Sequence, residues 1–176
     1  MFNQPKGLIP AALSNMGERF GYYIMNAVLV LFLCSKFGLS EETSTLVYSF
    51  FYAGIYVLRL VGGIIADKTQ NYKGTIISGL IVMTLGYIVL AVPILATAEN
   101  TTWLLTLTCC ALFLIAFGNG LFKGNLQAIV GQLYDNPRWA SKRDSGFQIF
   151  YVFINIGGAV SYTHLRAHET SLHLVC

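Results

Sequence analysis

Four charged side chains, Glu18, Arg19, Arg59 and Lys123, stand inside apolar runs long enough to cross a bilayer. A charge at the centre of a membrane helix costs about 2.5–3.5 kcal/mol on insertion scales, so such residues usually face a cavity or one another. Around the first pair, Asn15, Glu18, Arg19, Tyr22, Tyr23 and Asn26 recur at steps of three and four, one polar stripe along an otherwise apolar helix. Glu18 lies about ten residues into its run, or ~15 Å, which is deep for a short acid that would have to snorkel to the interface. Around the last charge, Asn119, Lys123 and Gln127 follow at i, i+4 and share a face, among Gly118, Gly120 and Gly124, small residues that let helices approach closely. From Lys123 to Asp135 is about a dozen residues, or ~18 Å, beyond the reach of a lysine stem. These residues predict a buried Glu18–Arg19–Lys123 cluster with tyrosines and amides at hand. Two cations against one acid leave a positive charge for an anionic group.

Two further features are open in the sequence. Arg59 precedes Asp67 by eight residues, or ~12 Å, so it either snorkels to the boundary or lines the cavity. Tyr48, Tyr52 and Tyr56 form an i, i+4 stripe that serves either packing or a pore lining, and tyrosine hydroxyls in a membrane need partners in both cases.

The elements that must position these groups are membrane helices. Of the 176 residues, 55% are hydrophobic and only 11% charged, with a mean hydropathy of +0.62. Spans are predicted over residues 8–37, 45–66, 75–96 and 102–134, and a fifth begins at Phe147 and stays apolar only to Val160, too short to cross. Ser40 with Glu42 and Thr43 signals the start of span 2, and Pro93 stands near the end of span 3. Lys6, Lys68, Lys73, Arg138, Lys142 and Arg143 fall on one side and Lys36 alone on the other, which predicts a cytoplasmic N-terminus in the cell (inner) membrane. No cleavable leader is expected, because Glu18-Arg19 interrupts the first run. Cys34, Cys109 and Cys110 lie in apolar runs and Cys176 is terminal, so no disulfide framework is expected. No nucleophile–base pair, phosphate loop or metal-ligand set appears, so neither an enzyme, a cofactor nor a nucleic-acid partner is expected.

Residues 161–176 differ from the rest. They hold all three histidines, His164, His168 and His173, with Arg166 and Glu169, where span 5 should still be in hydrocarbon. His164 and His168 could present two metal ligands on one helix face, but no third ligand has a known position. The abrupt loss of hydropathy resembles an adapter read-through, and the expected division is a transmembrane bundle over 1–160 and a non-native tail over 161–176.

Four stretches resemble the proton-dependent oligopeptide transporter family of the major facilitator superfamily. Asn15-Met16-Gly17-Glu18-Arg19-Phe20-Gly21-Tyr22-Tyr23 is close to that family's E-x-x-E-R-F-x-Y-Y. Gly63-Ile64-Ile65-Ala66-Asp67-Lys68 resembles the superfamily's gating loop G-x-x-x-D-[RK]. Gly118-Asn119-Gly120-Leu121-Phe122-Lys123-Gly124-Asn125 resembles G-x-G-x-F-K-P-N, and Phe150-Tyr151-Val152-Phe153-Ile154-Asn155-Ile156-Gly157 resembles F-Y-x-x-I-N-x-G. The resemblance implies an all-α membrane fold, the partial N-terminal six-helix bundle of a major facilitator transporter: four full spans and a truncated fifth. It implies symport of protons with di- and tripeptides by a full-length parent whose C-terminal half is missing here. Glu18 would couple to protons, with Arg19 and Lys123 as its cationic partners. Arg19, Tyr22, Tyr23, Lys123, Tyr151 and Asn155 would bind the peptide, and Gly63, Asp67 and Lys68 would gate. This chain departs from the pattern in having Asn15 for the family's first glutamate, Gly124 for a proline, and Ile24 for a glycine after the tyrosine pair. The alternatives are a relative moving another small anionic or peptide-like solute, and a non-transporting membrane module, which would need no intramembrane charges.

Overall fold

A computed structural model of the chain describes residues 4–92, 94, 97 and 99–173, with side chains described through His164. The elements are helical: α1 (Leu8–Phe37), α2 (Glu41–Thr69), α3 (Tyr72–Leu90), α4 (Thr101–Gln132), the short α5 (Pro137–Ala140) and α6 (Arg143–His173). Among the described residues, four helices are long and apolar enough to cross a membrane: α1, α2, α3 and α4.

Local chemistry explains most of the boundaries. α1 has the limits expected from its apolar run. α2 begins four residues before the expected Thr45, because Ser40 caps it by accepting from Thr43 N, with Glu41 and Glu42 in the first turn, where the helix dipole favours acids. It also runs three residues past Ala66 to Thr69, and closes on Gln70 in the left-handed region at φ 51°. Asn71 then caps α3 by accepting from Gly74 N at 2.9 Å. α3 ends at Leu90, earlier than the expected Ala96. Proline at 93 disfavours helix at the residue before it, and positions 93 and 96 lie outside the described residues. α4 ends at Gln132, two residues short of the expectation. Its unbroken run through Gly124 fits the absence of the proline that the family pattern has there. The charged stretch after it, expected to be a loop, contains α5, with Asn136 as N-cap and Pro137 at the first helical position. α6 continues as helix beyond Val160, where the apolar run ends, since alanine, leucine and glutamate there sustain a helix without needing lipid.

The described residues group into two compact units, Met1–Val28 with Val130–Cys176, and Leu29–Ile129. In the second unit, α4 crosses α2 and α3 at glycines. A Cβ on Gly62 or on Gly120 would collide with the opposing backbone carbonyls of Gly120 and Leu58 respectively. Gly118 and Gly79 meet similarly, with an added Cβ reaching the partner's carbonyl oxygen at 2.6–2.8 Å. Such backbone approach substitutes for the hydrophobic drive that lipid removes. Asn125 completes the crossing: its Nδ2 donates to Gly62 O at 3.1 Å and to Leu121 O at 2.7 Å, all buried.

In the first unit, α6 packs on α1 at Gly157, where a Cβ would lie 2.5 Å from Met16 O. Tyr134, just past α4, donates from its hydroxyl to Gln4 Oε1 at 2.8 Å and occupies the space a side chain on Gly146 would need. Burial pushes that hydroxyl above the usual tyrosine range.

Candidate functional site

α1 carries the polar stripe of the first unit. Asn15, Glu18 and Tyr22 are buried at 1%, 8% and 5% exposure, with Arg19, Tyr23 and Asn26 half-buried beside them. The spacing of three and four that predicted one face therefore does select one face. The Arg19 guanidinium carbon lies 5.9 Å from the Tyr22 ring centroid and 5.8 Å from that of Tyr23. The two rings meet edge to face at 5.7 Å. A cation between two tyrosines in a low-dielectric setting is held electrostatically while its donors stay available. Arg19 Nε and the Oδ1 atoms of Asn15 and Asn26 are buried and have no hydrogen-bond partner among the described residues. Buried polar atoms of this kind need an explanation, and a cavity that admits water or solute supplies one.

α6 runs alongside in the same unit. Gly158 fits against the Tyr23 ring, and Tyr162 reaches the same ring at 5.6 Å between centroids. The expected binding residues Tyr151 and Asn155 are exposed, on the open side of α6. His164 meets the Phe20 ring edge-on at 6.2 Å. The side chains of His168 and His173, and Cys176, lie outside the described residues.

In the second unit, α4 buries Asn119 at 1% and Lys123 at 6% exposure, as their shared face requires. Gln127, expected on the same face, is exposed. An i, i+4 step overshoots a full turn by about 40°, so after two steps the third residue has drifted off the buried side. Of the three glycines around Lys123, Gly118 and Gly120 make the helix crossings, whereas Gly124 has open space where a Cβ would go. The gating residues sit at the end of α2, with Gly63 half-buried and Asp67 and Lys68 exposed. The Tyr72 hydroxyl donates to Asp67 Oδ1 at 2.7 Å, and Gln70 Nε2 donates to the Asp67 carbonyl at 2.6 Å. These contacts hold the acid in place across a two-residue turn, and the sequence reading had singled out neither Tyr72 nor Gln70. The turn signal Gln70-Asn71, two polar residues between apolar runs, was the available clue.

On α2 itself, Tyr48 and Tyr52 stack at 6.0 Å, and the hydroxyls of Tyr52 and Tyr56 share a hydrogen bond of 3.0 Å. Arg59 extends this ladder, its guanidinium carbon 4.8 Å from the Tyr56 centroid.

Residues 73–169 match the POT family. The chain belongs to the POT family. That is a family of transporters rather than of enzymes. A di-/tripeptide transporter of Lactococcus lactis subsp. lactis is 36% identical over 167 residues, covering 91% of this POT chain. The crystal structure of a mutant of peptide transporter POT in complex with sulfate superposes with a TM-score of 0.78 at 33% identity, over 89% of the chain. A structure concerned with substrate recognition in proton dependent oligopeptide transporters gives a TM-score of 0.74 at 36% identity, over 88% of the chain. The chain spans about a third of the length of these relatives, 31% of the first two and 32% of the third. The fold expected from sequence, an all-α membrane architecture that is part of a larger transporter fold, is what these superpositions give. The POT chain is a multi-pass membrane protein.

Proposed function

We propose that the transporter of which this chain is a part carries di- and tripeptides together with protons across the cell (inner) membrane. The observation that carries the reading is the buried Glu18, one residue before an arginine whose guanidinium lies near the Tyr22 and Tyr23 rings, in the E-R-F-x-Y-Y context. A carboxylate that answers to neighbouring cations releases them when it takes a proton, so proton uptake and anion binding become linked. By the motif matches, Glu18 is the proton-coupling acid, with Arg19 and Lys123 as the cations that respond to it and hold the peptide carboxylate. Tyr22, Tyr23, Tyr151 and Asn155 complete the pocket, and Gly63, Asp67 and Lys68 form the cytoplasmic gate. Alternating access by rocking of two bundles moves proton and peptide together, so the missing C-terminal half supplies the second wall. The Lys and Arg distribution supports a cytoplasmic N-terminus.

In the full-length transporter, Glu18→Gln is expected to abolish proton-driven peptide accumulation while sparing peptide counterflow. Accumulation at the wild-type level in proteoliposomes with an imposed proton gradient would remove Glu18 from this role. A second reading, transport of a peptide-like or small anionic solute with altered proton stoichiometry, is favoured by Asn15, an amide with an unpartnered buried oxygen where the family carries an acid. Residues 161–176 are read as a non-native tail, and resequencing the source DNA across codon 160 decides that point: an uninterrupted genomic frame overturns it.

A further inference from the structure

The gating residues Gly63, Asp67 and Lys68 come from the motif, which says nothing of what sets the direction of the acid. Asp67 lies in the last turn of α2, where the negative end of the helix dipole disfavours a carboxylate, and it is exposed. Its own helix thus offers the carboxylate little hold. The hold comes from across the turn. Tyr72, the half-buried first residue of α3, donates its hydroxyl to Asp67 Oδ1 at 2.7 Å. A hydroxyl–carboxylate bond of that length is charge-assisted and about twice as strong as a neutral one. It commits Oδ1 and leaves Oδ2 as the oxygen for a gate contact.

The turn between the two helices is shaped to deliver that hydroxyl. α2 closes on Gln70 at φ 51°, a left-handed conformation that strains a non-glycine residue and persists only where its neighbours hold it. They do so on both sides. Gln70 Nε2 donates to the Asp67 carbonyl at 2.6 Å, and Thr69 Oγ1 donates to Ile65 O at 2.9 Å. The Asn71 side chain accepts from Gly74 N at 2.9 Å, and a Cβ on Gly74 would lie 2.5 Å from Asn71 Nδ2. The reversal is completed by Gln70 and Asn71, and Tyr72 comes back onto the residue five positions earlier. Backbone strain of this kind gathers at clamps and switches. Here it sits between an acid and the hydroxyl that orients it.

Building on the gating role proposed for Asp67, we propose that Tyr72 is a positioning residue of the cytoplasmic gate. Its hydroxyl fixes the Asp67 carboxylate in the orientation from which the gate closes, so closure does not wait for a free side chain to find that rotamer. Tyr72 stands at the start of α3 and is not among the residues read as touching the peptide. Losing the hydroxyl therefore weakens closure and slows turnover, and leaves peptide affinity alone.

The test uses the full-length transporter as wild type, Tyr72→Phe and Asp67→Ala. Spin labels on the cytoplasmic ends of the two bundles report the ratio of closed to open gate in nanodiscs, and Ala-Ala counterflow in proteoliposomes reports turnover. Tyr72→Phe is expected to lower the closed-to-open ratio about threefold or more, through the loss of one hydrogen bond to a charged group, and to slow counterflow. Equilibrium Ala-Ala affinity and the melting temperature should stay at wild-type values, which separates positioning from a purely structural role. Asp67→Ala should shift the ratio at least as far. A Tyr72→Phe ratio equal to wild type, with Asp67→Ala shifted, overturns the inference and leaves the gate standing. Wild-type ratios in both variants overturn the inference and the gating role together. A shifted ratio that comes with a matching loss of melting temperature or of Ala-Ala affinity also overturns the inference. If the wild type binds no Ala-Ala, the peptide reading fails, and the closed-to-open ratio still decides the role of Tyr72.

Discussion

α4 and α2 belong largely to the same compact unit and treat their polar residues in opposite ways. In the apolar window of α4, 56% of residues are buried, against 22% in α2, which marks α4 as the helix others pack around. α4 sinks Asn119, Lys123 and Asn125 behind glycine crossings. α2 instead carries Tyr48, Tyr52, Tyr56 and Arg59 along one face, where successive rings and the guanidinium meet one another. A polar group locked into a crossing serves the architecture whether or not it also meets a solute. One on the half-open face of α2 stands outside such a crossing and packs along its own helix. The family motifs contain residues of the first kind and none of the second, which stand out by charge and spacing alone.

The contrast can be broken most directly at Gly120. Gly120→Val places a branched side chain against the Leu58 carbonyl and should cost about 3 kcal/mol or more, by the general cost of overpacking. A thermal melt of the purified transporter unchanged by this substitution would show that the crossing does not hold the unit together. Asn125→Ala is smaller. It leaves the Gly62 carbonyl without its side-chain donor, for a loss of about 1 kcal/mol by melting or denaturant titration. Least of all is Gly124→Ala, one turn from Gly120 on the same helix but facing open space. It should be neutral or stabilise by about 0.5–1 kcal/mol through helix propensity. A destabilised Gly124→Ala protein would mean that the open side of α4 is covered as tightly as the crossing.

How much was legible in the sequence follows from which forces act locally. The limits of α1 could be read directly because its apolar run and its helix end together. The burial of Asn15, Glu18, Tyr22 and Lys123 followed from the cost of charge in lipid combined with helical period. α3 was drawn too long because hydropathy continues past Leu90 while Pro93 ends the helical preference. α5 was missed although Asn136-Pro137 is a cap-and-first-turn signal, because a charged stretch between spans reads as a loop. Gln127 was misplaced because three residues at i, i+4 drift around the helix. The direction of Arg59 was not legible at all. It depends on the rotamer that sets the guanidinium 4.8 Å from the Tyr56 ring, and residue spacing carries no record of a rotamer.

Tyr134 has a mechanical consequence. Its ring fills the notch left by Gly146 while its hydroxyl holds Gln4, and Gln4 Nε2 also reaches Ser145 Oγ at 3.4 Å. The segment before α1, the end of α4 and the start of α6 are thereby riveted at one point. These three segments are tied to move together, and bending of this unit has to be taken up elsewhere.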